Sequence, residues 1–179
     1  MKSKRLLLTF AVLGLVISGE VAAVDGYKGV KFGSSFSQLQ AGKICSWEKY
    51  EADKTPGMDT YYCTNFQFAG KKRTGLAIFI DKKFERISVP LTKDIGFEAL
   101  ADSLKKKYGE PSSVFTQEDI QKAMADGGEV NVKFDNDTVI ISITHDVSTN
   151  ADTSLLIYTS PDYFEKMNKI QAKALDGDL

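Results

Sequence analysis

Apolar residues recur at every second position through residues 61–91: Phe66 and Phe68, then Leu76, Ile78 and Ile80, then Ile87, Val89 and Leu91. Successive side chains of a strand point to opposite faces, so this period predicts strands with one buried face. Turn-forming runs at 69–73 and 81–83 separate the strands and make them an antiparallel meander. The alternation returns in Val130, Val132 and Phe134, and again in Val139, Ile141 and Ile143. Asp135-Asn136-Asp137 supplies the turn between those two, and a further strand follows at 155–158.

Elsewhere the period lengthens to that of a helix. Phe97, Leu100, Leu104 and Tyr108 form one stripe over 96–108, which Gly109 and Pro111 end. Lys105, Lys106 and Lys107 crowd its last turn, where the helix dipole favours cations, and a solvated helix end explains them. A short helix follows Gly33, with Ser34 or Ser35 as cap, Gln38 at the capping-box position, Phe36 and Leu39 inward and Gly42 at its end. Thr116 caps a helical excursion over 116–126, preceded by a short strand at 112–115. Ser160-Pro161 starts a last helix with the stripe Phe164, Met167, Ile170 and Ala174. These elements predict an α+β fold, an antiparallel sheet with helices on one side, open to a reading as two tandem helix-plus-strands units at 24–94 and 95–179.

Residues 1–23 follow neither period. Lys2, Lys4 and Arg5 precede an apolar run at 6–18, and Val21-Ala22-Ala23 supplies small residues for a peptidase. The run is 13 residues long, short of the ~20 of a spanning helix, which predicts a cleaved signal peptide. The mature chain then starts at Val24, in the periplasm or secreted, with no stable membrane insertion. Charge is uneven: residues 24–110 hold 15 basic and 11 acidic side chains, and residues 111–179 hold 5 and 12. Two solvated surfaces explain the split, and nothing in it suits nucleic acid.

The two cysteines, Cys45 and Cys63, lie in strand-like runs at 44–50 and 61–68 around the turn sequence Lys54-Thr55-Pro56-Gly57. A hairpin centred on Lys54 sets them opposite each other, and in an oxidising compartment this predicts a disulfide. The same register sets Trp47 opposite Tyr61 on the disulfide face, shared by Lys49, Asn65 and Gln67. Tyr62, Thr64, Phe66 and Phe68 point the other way. A Trp–Tyr pair among polar residues suits a protein partner. The alternative is that the pair packs inward or covers the disulfide.

Catalytic chemistry finds little support. A nucleophile needs a base within reach, and the single histidine, His145, ends a strand face as a rim residue. Bridged cysteines and one histidine leave too few typical zinc ligands. Asp135-Asn136-Asp137 lacks the rest of a calcium loop, and no glycine run has phosphate-cradle spacing. The expectation is no enzyme, no cofactor and no metal.

The paired helix-then-strands plan, the helix start Phe32-Gly33-Ser34-Ser35 and the ending Lys107-Tyr108-Gly109-Glu110-Pro111 resemble small secreted proteins of tandem α-plus-four-strand form. The beta-lactamase inhibitor proteins show that form, and the outer-membrane assembly lipoprotein BamE has a related single unit. The resemblance implies a scaffold that offers a sheet surface to another protein. There is one cysteine pair in the first unit, none in the second, and no lipid-attachment cysteine. The leading expectation is a periplasmic binding protein that engages an unidentified envelope protein, as inhibitor, immunity factor or assembly accessory. The alternative is a small-molecule or lipid carrier, which needs a mainly apolar pocket of ~300 Å³ or more between sheet and helices.

Overall fold

A computed structural model describes residues 23–52 and 55–178. Residues 1–22, which carry the signal-peptide expectation, and Lys54, the expected hairpin centre, lie outside the described residues. The chain runs β1 (Gly26–Tyr27), β2 (Val30–Lys31), α1 (Phe36–Ala41), β3 (Glu48–Lys49), β4 (Met58–Phe68), β5 (Lys71–Ile80), β6 (Lys83–Pro90), α2 (Phe97–Tyr108), α3 (Gln117–Asp126), β7 (Gly128–Phe134), β8 (Val139–Asp146), β9 (Ala151–Thr159) and α4 (Tyr163–Asp178). The fold is α+β. β1 and β2 form a hairpin, and the other strands form one antiparallel sheet in the order β3-β4-β5-β6-β9-β8-β7. The two meanders join where β6 pairs with β9, from Arg86 opposite Thr159 to Pro90 opposite Leu155.

Alternation selects the core face. Ala77, Phe79, Ile87, Val89, Leu156, Tyr158, Val139, Ile141, Val132 and Phe134 point to one side and are buried there. α1 closes it with Leu39, which is buried, and with Phe36 against Tyr61 and Phe79. α2 brings Leu104 down beside Leu156, and α3 brings Ile120 and Met124 beside Val130 and Ile143. The caps work as the sequence implies. Ser35 and Gln38 form a capping box on α1, and Thr116 forms one with Asp119 on α3.

The helices are one-sided only for α1, α2 and α3. α4 lies on the opposite face, with Ile170 beside Ile80 and the Tyr163 ring 4.9 Å from the Arg86 guanidinium. A β-bulge explains this. Ile78 opposes Arg86 while Phe79 opposes Phe84, so Glu85 is the extra residue. Its carboxylate accepts hydrogen bonds from Ser160 Oγ at 2.5 Å and Lys166 Nζ at 2.7 Å, which anchor the start of α4 there.

A second bulge corrects the expected facing of Phe66. Cys63 opposes Gly75 and Phe66 opposes Arg73, so an extra residue lies between them and Phe66 turns to the same side as Cys63. Gly75 permits this packing. A Cβ there would stand 2.9 Å from the Phe66 ring and 3.3 Å from Cys63 Sγ. Two expected strands are shorter. The run at 44–50 keeps only β3, and the run at 112–115 keeps only a bridge between Ser113 and Lys133. Phe115 leaves the sheet plane for the Phe97 ring, 6.3 Å away.

Candidate functional site

The disulfide face is the core face. Cys45 and Cys63 are bonded, with Cα atoms 6.2 Å apart. Glu48 opposes Tyr62 and Lys49 opposes Tyr61, so the hairpin is centred one residue later than Lys54. Trp47 is therefore not opposite Tyr61. It is 6 % exposed and packs 6.4 Å from the Phe66 ring. Tyr61 stacks on Phe36 at 4.1 Å and meets Phe79 edge-on. Trp47 is buried and Tyr61 is part-buried against the core, and the expected partner surface is not assembled on this face. Lys49, Asn65 and Gln67 stay exposed, Lys49 directly across from Tyr61. Lys49 pairs with Asp59 at 2.8 Å, Asn65 Oδ1 accepts from the Ser46 amide, and the Gln67 carbonyl accepts from Lys28 Nζ. The aromatic pair that does reach solvent is Tyr50 and Tyr62, with Tyr50 50 % exposed and the Tyr62 hydroxyl donating to Glu48.

His145 sits at the end of β8, part-buried as its place in the sequence implies. Its Nδ1 lies 2.8 Å from Asp152 Oδ1. The small cavity beside it is lined by Phe115, Ile120, Ala123, Met124, Val130 and Ile143, and none of these offers a hydroxyl or thiol as a nucleophile.

The feature with the shape of a binding site is a groove between α2 and the sheet, about 430 Å³ in volume. Leu156 and Tyr158 of β9 make its floor, and Phe68 and Ala69, at the turn between β4 and β5, make one wall. The other wall is a stripe of α2: Gly96, Ala99, Leu100, Ser103, Leu104 and Lys107. Spacings of three and four residues put these on one helix face, so the groove follows the helix axis. Sequence periodicity marked Leu100 and Leu104 as core contacts. It did not mark Ala99 and Ser103, whose small side chains keep the wall back from the sheet.

Polar groups gather at the two ends. At one end Asp94 accepts from Arg73 Nη2 at 2.8 Å and Lys71 Nζ at 2.8 Å. Arg73, then Lys71 and Thr92, hold its carboxyl well below the usual carboxylate range. At the other end Lys107 Nζ stands 4.8 Å over the Tyr108 ring. Beneath lies a tyrosine cluster, with Tyr158 4.8 Å from Tyr27 and 6.5 Å from Tyr108 by ring centroids. Burial, and next the neighbouring Tyr108, pushes the Tyr27 phenol up to about 12. Burial and then the Tyr108 phenol push Tyr158 up as well. Both phenols stay neutral at ordinary pH.

This cluster sets an alkaline limit on stability. A phenol raised in the fold favours the folded state fully below its unfolded value of 10.0, and that contribution is lost as pH rises through about 12. The thermal midpoint should therefore fall between those two values. Tyr27→Phe should flatten the fall in a pH series of melting curves, and an unchanged slope would remove Tyr27 as its cause.

Residues 27–178 match the model of a family described as an uncharacterised protein. The chain belongs to that family. A Haemophilus influenzae protein, also described as uncharacterised, is 33% identical over 181 residues, which cover 98% of this chain and 99% of the relative. The similarity therefore spans the residues of both meanders and of α2. No solved structure matches the chain. Among the described residues no helix is long and apolar enough to cross a membrane.

Proposed function

We propose that this chain is an exported binding protein that holds a small amphipathic molecule between α2 and the sheet. The single observation that carries the reading is the groove itself. Its volume is about 430 Å³, and Phe68, Leu100, Leu104 and Leu156 line it with polar groups only at its ends and rim. Ligand sites are concave, mainly apolar and furnished with a few orienting polar groups, and this groove has that make-up. The N-terminal basic and apolar pattern and the Cys45–Cys63 disulfide support export to an oxidising compartment. Holding rather than catalysis is the chemistry its residues suit, since Asp94 is tied to two cations and His145 lines a different cavity.

A second reading, engagement of an envelope protein, rests on the resemblance to inhibitor-type scaffolds and on the solvent-facing pair Tyr50 and Tyr62. It moves the partner surface off the Trp47–Tyr61 face.

Native mass spectrometry of protein purified from its own compartment tests the carrier. The wild type should carry a non-covalent adduct. Ala99→Trp, at an exposed position of the groove wall, should lose it while melting at the wild-type temperature. Adduct-free wild-type protein that also fails to enhance anilinonaphthalene sulfonate fluorescence would sink the reading.

A further inference from the structure

Resting on the groove reading, we infer that the ligand is a long-chain carboxylate, with its head at Lys107 and its chain along α2. The first argument is shape. The wall residues run from Gly96 to Lys107, and at 1.5 Å per residue that stretch of helix is about 16 Å long. A slot of that length, open along one side and floored by Leu156 and Tyr158, matches an extended alkyl chain better than a fused ring system.

The second argument is charge, and it decides the direction. The groove lining holds two charged side chains, Asp94 and Lys107. Asp94 already satisfies its end, since it lies just before α2, where the helix dipole favours an anion, and is held by Arg73 and Lys71. Lys107 is different. Its neighbour Lys105 is matched by Glu110 at 2.8 Å, whereas among the described residues Lys107 meets only the face of Tyr108. Ser103 gives its hydroxyl hydrogen to the Ala99 carbonyl, so Lys107 is the donor at that end. The C-terminal carbonyls of α2 carry roughly half a negative charge, which Lys106 and Lys107 together outweigh. One lysine in the groove matches a single negative charge, so the head is a monoanionic carboxylate rather than a phosphate monoester.

Calorimetric titration of the full mature protein with dodecanoate and with dodecanol tests the assignment. Dodecanoate should bind more tightly than dodecanol. Lys107→Ala should weaken dodecanoate about tenfold, the loss of one charge-assisted contact, and leave dodecanol unchanged. Lys105→Ala, at the residue paired with Glu110, should change neither. Equal binding of both probes, indifferent to Lys107→Ala but abolished by Ala99→Trp, would overturn the carboxylate and keep the groove. Binding of neither probe, or binding that survives Ala99→Trp, would overturn both.

Discussion

Lys166→Met should lower stability by about 2–3 kcal/mol, more than Glu85→Gln does. Glu85 is 2 % exposed, in the bulge of β6, and its carboxylate has two side-chain donors, Ser160 and Lys166. Removing the lysine leaves a buried carboxylate with one neutral donor. Removing the carboxylate's charge leaves Lys166 free to use Asp162, 2.9 Å away, and water, because its side chain is 33 % exposed. That exposure sets the expected loss at or below the low end of the roughly 3–5 kcal/mol seen for fully buried pairs. Urea unfolding of the two variants measures the difference, and the reverse ranking would show that the burial of Glu85 is not what makes the pair matter.

Loss of the disulfide should cost about 3 kcal/mol. Cys45 and Cys63 are 18 residues apart, and the bond restricts that loop in the unfolded chain. In a chain of this size the thermal midpoint should fall by roughly 10 °C, in reductant or in the Cys45→Ala, Cys63→Ala double variant. Reductant should have no further effect on the double variant. Alanine is the better replacement, since Cys63 is 1 % exposed beside Phe66 and a serine would bury a hydroxyl.

The fold class and most elements were legible because they rest on local signals. Thr116 as a cap, Gly42 at the end of α1 and the alternation of Val139, Ile141 and Ile143 need no partner to be read. What was not legible depends on single-residue shifts in pairing. The hairpin centre moved by one residue, which slides the pairing by two and leaves each facing as it was, and an extra residue entered before Phe66, which turned Phe66 to the Cys63 side and made that side the inner one. Tyr50 is the exposed ring, with part-buried Tyr62 beside it, whereas Trp47 is buried and Tyr61 stacks on Phe36. The side chosen by α4 was hidden for the same reason, since it follows from the bulge at Glu85. The groove left a fainter trace, a helix stripe whose large residues were read and whose small ones, Ala99 and Ser103, were not.

The pairing of β6 with β9 also fixes an order of assembly. The first meander is complete once the chain has been made through Pro90, yet the outer edge of β6 stays open until residues 155–159 arrive. Until then a strand carrying Ile87 and Val89 offers unpaired backbone groups to any other extended chain. The last strand therefore acts as a closing piece. A chain cut short before Leu155 would keep most of its core residues and yet expose the middle of its own sheet as an edge.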